Sequence, residues 1–241
     1  MNETTQTSSA ASSALLTGAA LAGGALLLSG AKAAHAVSPA LTFSNSIFGT
    51  GDLKVLNYAL ALEALETDLY AQALQRLTTG GTNALGKTIP GLGLPSSDPA
   101  VRYVRDFGEI EKAHRDFFIG ALGTNAITAP GKPLANAKFD FGFDTSKATL
   151  RYVLNLIQTA ESIGVGAYIG AIPFFATATY LQTAAAIQGT EARHTAVITA
   201  IINNRYNERQ PVAPLFNENN GIDKARQPDA VLAAVSPFIV L

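Results

Sequence analysis

Two of the three histidines in the chain stand three residues after a glutamate. Glu111 precedes His114 in Glu109-Ile-Glu-Lys-Ala-His-Arg-Asp-Phe117, and Glu191 precedes His194 in Gly189-Thr-Glu-Ala-Arg-His-Thr-Ala-Val197. On a helix, residues three apart share a face, so each pair offers a carboxylate oxygen and an imidazole nitrogen to one point. A single pair is explained by an i,i+3 hydrogen bond. With nine Glu in 241 residues, however, a Glu falls three before a given His only about one time in 27, so coincidence is a poor account of two. Two pairs on facing helices could instead converge on metal ions through mixed oxygen and nitrogen donors.

A metal pair needs more carboxylates, and an internal repeat supplies them. Val55-Leu-Asn-Tyr-Ala-Leu-Ala-Leu-Glu63 is echoed 98 residues later by Val153-Leu-Asn-Leu-Ile-Gln-Thr-Ala-Glu161, and a Tyr follows each Glu by seven residues, Tyr70 and Tyr168. Seven residues are nearly two turns, so each Glu shares a face with its Tyr. Each half of the chain thus reads as a helix with one Glu followed by a helix with Glu-x-x-His. The repeat favours Glu63 over Glu66, because Gly164 stands where Glu66 would have its counterpart. Glu161 lies among Thr159, Ala160, Ser162, Ile163, Gly164 and Val165 with no basic residue within a turn, a costly setting for a carboxylate unless a cation is bound. Four carboxylates and two neutral imidazoles balance two divalent ions.

The positioning elements are helices separated by long polar breaks. Apolar periodicity predicts helices over 53–77 and 99–122, the latter started by Ser96-Ser97-Asp98 and Pro99. A third should follow Asp144-Thr145 and run to about Gly170, broken by Pro173, and a fourth should span about 177–204. The connection 123–145, with Phe139-Asp-Phe-Gly-Phe143, is long enough to cross the domain. The expected fold is therefore all-α: a four-helix bundle over 53–204 with one long crossover and long loops. A linker over 37–52 precedes it, and a tail over 205–241 follows, loop-like apart from a short helix near Asp229–Val235. Gly81-Thr-Asn-Ala-Leu-Gly-Lys-Thr88 matches a phosphate-binding loop letter for letter, but such a loop must follow a strand and open a helix. Here a helix precedes it and Ile89-Pro-Gly91 follows, so it reads as an interhelical loop.

Composition removes several classes. There is no cysteine, so disulfides and thiolate chemistry are excluded, and net charge −1 without a basic stripe gives no reason to expect nucleic acid. Residues 1–36 read as a leader: a polar start, an apolar run over Ala14–Leu28, and Ala34-His35-Ala36 as a cleavage site. Export to the periplasm, cell envelope or exterior is expected, with no stable membrane span if the leader is cleaved. Glu3 and the lack of Lys or Arg in the first stretch leave an uncleaved anchor as the alternative. Ile172-Pro-Phe-Phe-Ala176 suits either core packing or a homo-oligomer interface.

The order Glu63, Glu111-x-x-His114, Glu161, Glu191-x-x-His194 resembles the dimetal carboxylate site of the ferritin-like superfamily, and Leu56-Asn57 with Tyr70 is similar to the first helix of bacterioferritin. The leader, loops and tail resemble the exported, desiccation-related members rather than the cage formers. The resemblance implies two Fe or Mn ions, bridged by Glu111 and Glu191, with Glu63 and His114 completing one and Glu161 and His194 the other. It implies an oxidoreductase acting on dioxygen or peroxide in stress protection, as ferroxidase or as catalase-like scavenger. A non-catalytic structural or metal-binding role is the alternative. Tyr70 and Tyr168 would either donate to the ligating carboxylates or serve as core aromatics.

Overall fold

The computed structural model describes residues 41–241; the leader over 1–36 and the start of the linker lie outside them. After a helical turn, α1 (Asn45–Phe48), come two long helices, α2 (Asp52–Leu77) and α3 (Pro99–Leu122). A second pair follows, α4 (Leu150–Ala171) and α5 (Ala178–Tyr206), and two short helices, α6 (Phe216–Asn219) and α7 (Pro228–Val235), lie in the tail. α2 packs along α3 and α4 along α5, while α2 also touches α4 and α3 touches α5. The result is a four-helix bundle whose halves are joined by the crossover over 123–149.

Local chemistry sets the helix ends. Asp98 caps α3 by accepting from Ala100 N at 2.9 Å, with Pro99 in the first turn where its missing N–H costs nothing. α4 starts later than the sequence suggested, because residues 145–148 are spent on a turn and Thr149 Oγ1 caps the helix by accepting from Tyr152 N. Asp52, at the start of α2, accepts from Ala176 N at 2.7 Å and from Thr177 Oγ1 at 2.6 Å, so one carboxylate ties α2 to the start of α5.

The connections are more ordered than expected. Residues 80–90 form an antiparallel hairpin of β1 (Gly80–Thr82) and β2 (Thr88–Pro90), turned by Asn83 Oδ1 accepting from Leu85 N and Lys87 N. Its Lys87-Thr88 leads into a strand rather than opening a helix, and Lys87 is bound to Asp140 at 2.8 Å, so the phosphate-loop lookalike has neither the geometry nor a free cation. In the crossover, β3 (Lys138–Phe139) pairs with β4 (Ile239–Val240) at the end of the chain. Phe139, Phe141 and Phe143 are buried there, as are Val231, Leu232 and Phe238 of the tail. The expected linker also contributes to the core through Phe48. Each such side chain adds about 2 kcal/mol by burial. The tail seats on α4 at two glycines: Arg226 N donates to Gly166 O, and a Cβ at Gly170 would lie 1.9 Å from Arg226 O. Within 172–176, Phe175 packs against the core while Ile172 and Phe174 are exposed, Phe174 meeting Phe43 edge-on. No described helix is long and apolar enough to cross a membrane.

Candidate metal centre

Glu63 lies midway along α2 and Glu161 midway along α4, where the apolar faces of those helices enclose them. Glu111 and Glu191 reach the same level from α3 and α5. All four carboxylates are fully buried. Burying an ionised carboxylate costs several kcal/mol unless it is paired, so four together demand a local explanation.

The histidines supply part of it. His114 Nδ1 lies 2.9 Å from Glu111 Oε2, 3.4 Å from Glu63 Oε2 and 3.5 Å from Glu191 Oε1. His194 Nδ1 lies 2.7 Å from Glu111 Oε1 and 3.4 Å from Glu161 Oε1, yet neither contact has hydrogen-bond geometry. Donor atoms fall into two groups, each within 4.8 Å: Glu63, Glu111, His114 and Glu191; and Glu111, Glu161, Glu191 and His194. Glu111 and Glu191 belong to both. Among the described residues, ten buried side-chain polar atoms have no hydrogen-bond partner, and seven are here, on Glu63, Glu111, Glu161, Glu191 and His194. Buried polar atoms are seldom left so, and oxygen and nitrogen lone pairs aimed at common points are the donor set of a cation site.

Electrostatics without a cation tell the same story. Burial pushes Glu63 up to about 7, against the opposing pull of His114, and pushes Glu191 well above the usual carboxylate range with Glu161 adding to it. Burial would also raise Glu111, but the two histidines outweigh it and hold that carboxyl at about 2. Burial lowers both histidines, and the carboxylates beside them more than reverse this, to about 10 for His114 and about 9 for His194. The cluster thus draws positive charge to itself.

The tyrosines act across the bundle. Tyr70 on α2 donates to Glu161 Oε1 on α4, and Tyr168 on α4 donates to Glu63 Oε1 on α2. Glu63 is thus level with Tyr168 and Tyr70 with Glu161, so α2 and α4 run antiparallel. Gly108 permits the close approach of α3, since a Cβ there would lie 3.0 Å from Tyr70 Cβ. Two neighbours escaped the sequence reading. Phe107 stacks on the His194 ring at 3.9 Å, and Glu66, set aside for want of a repeat partner, is buried beside the cluster. Glu66 carried a signal, since it too lies among Leu62, Leu65 and Leu69 with no basic residue within a turn.

The sequence model of the ferritin-like domain family matches residues 51–204, well over half of the chain. The chain belongs to the ferritin-like family. Its four matched helices are those of the bundle, and every residue of the two donor groups lies within the matched span. No curated protein and no solved structure matches the chain. The ferritin-like domain therefore holds a buried Glu/His cluster able to bind metal.

Proposed function

We propose that this ferritin-like protein is a dimetal oxidoreductase that acts on dioxygen or peroxide, as a ferroxidase or as a peroxide scavenger, in stress protection. Glu63 and His114 would hold one Fe or Mn ion, Glu161 and His194 the other, and Glu111 and Glu191 would bridge. The observation that carries the reading is the pair of donor groups sharing Glu111 and Glu191, with unpartnered buried atoms on Glu63, Glu111, Glu161, Glu191 and His194. Bound there, Fe or Mn supplies two-electron exchange with dioxygen or peroxide.

The chain's own residues do the rest. Tyr70 and Tyr168 orient the terminal carboxylates and leave their second oxygens for ligation. The surrounding apolar side chains exclude bulk water and strengthen each electrostatic contact. His114 is 13% exposed and His194 only 2%, so the Glu63 end is nearer to solvent. The leader-like residues 1–36 support a site of action outside the cytoplasm.

The burial of every carboxylate also favours a second reading, in which the ions only staple the bundle, as closed sites do. The test is elemental analysis of protein purified from its own source beside the Glu111→Ala, His194→Ala variant, followed by peroxide-consumption and ferrous-oxidation assays. Two Fe or Mn per chain, absent from the variant, with turnover in either assay, supports the oxidoreductase. Two ions without turnover leaves the staple, and a folded protein that takes up neither metal defeats both readings.

A further inference from the structure

A fifth glutamate lies in the same interior. Glu66 is one turn beyond Glu63 on α2 and is 4% exposed. No hydrogen bond links it to any described residue. Its position answers that of Gly164 on α4: a Cβ on Gly164 would lie 3.4 Å from Glu66 Oε1 and 3.1 Å from Glu191 Oε2. The glycine that breaks the internal repeat thus opens the space in which the two carboxylates meet. Neither Glu191 oxygen has a hydrogen-bond partner. Two carboxylates that border one gap inside the bundle, with no donor between them, offer a place for a cation.

We propose that Glu66 is a seventh protein donor of the metal centre, its carboxylate admitted by Gly164 to a cation shared with Glu191. The inference rests on the dimetal reading and adds a ligand to it. The site then has five carboxylates, three from the first half of the chain beside His114 and two from the second beside His194. With five carboxylates against two divalent ions, one negative charge is left over, which suits a centre in which one ion becomes trivalent.

The test is anaerobic titration of the metal-free, full-length protein with Co(II), following visible absorption and the dissociation constants of both ions. Wild type should bind two Co(II). Glu66→Gln, which keeps size and shape, should weaken one ion at least tenfold and alter the absorption as that ion loses a donor. Gly164→Ala, which presses on both Glu66 and Glu191, should act in the same direction, and Glu66→Ala replaces the Gln variant should that one not fold. Wild-type constants and wild-type absorption in folded Glu66→Gln would overturn the proposal while the dimetal reading stood. Failure of wild type to bind a pair of ions would overturn both.

Discussion

Metal binding at pH 7 should expel at least two protons per chain. In the metal-free protein both histidines are imidazolium, with pKa values of about 10 and about 9. Burial also raises Glu191 well above the usual carboxylate range, and Glu63, at about 7, carries roughly half a proton. Ligating imidazole must be neutral and ligating carboxylate ionised, so these protons leave as the ions enter. By linkage, the product of the two association constants should rise at least a hundredfold per pH unit near neutrality. Isothermal titration with Mn(II) in buffers of different ionisation enthalpy measures the number directly, as the slope of apparent enthalpy against that enthalpy. His194→Ala should lower the count by about one. Release of fewer than one proton by wild type would mean that the ions do not replace the imidazolium protons, and the site as described would not be where they bind.

Without metal, stability should fall as pH rises: the raised histidine pKa values stabilise the fold fully below about 6.5, and that contribution is lost through about 9 and 10, a trend that thermal melts from pH 6 to 10 would read. With metal at a hundred times its dissociation constant, unfolding should cost about 2.7 kcal/mol more for each ion, seen as a rise in Tm that a chelator reverses. Tyr70→Phe and Tyr168→Phe should each leave the fold intact but weaken metal affinity about tenfold or more, since each frees a carboxylate that its hydroxyl orients; unchanged affinity would make them core aromatics only. Phe107→Ala should destabilise by about 3 kcal/mol and quicken loss of the ion beside His194, measured by chelator-driven release. Gly170→Ala should displace the tail, because its Cβ would meet Arg226 O at 1.9 Å, and limited proteolysis should then cut near Arg226 faster than in wild type.

The four long helices could be read from sequence because each carries its own signals: apolar spacing, Asp98-Pro99 at one start, Pro173 beyond one end. The six Glu and His were visible because two i,i+3 pairs and a 98-residue repeat both mark them. What could not be read depends on partners far along the chain. The two-residue strands at 138–139 and 239–240 pair through backbone groups a hundred residues apart, and no side-chain period announces them. The hairpin over 80–90 is held by Asn83 and by Arg76, which donates to Pro90 O and Ala148 O, a buried contact without a local motif. Glu66 was set aside on the symmetry of the repeat, whereas its burial is decided by the small residue facing it on another helix.

The crossed tyrosine bonds bear on how such a chain could have arisen. Neither helical hairpin satisfies its own terminal carboxylate; each depends on the hydroxyl that the other provides. A hairpin made alone would bury a glutamate and a tyrosine that lack their mates, unless a second copy supplied both in the reverse direction. Self-association of one hairpin would restore the pattern at once, which is what an ancestral dimer later fused into a single chain would leave behind. Such a fusion would free the copies to diverge, and the glutamate at 66 facing the glycine at 164 is a difference of the kind it would allow.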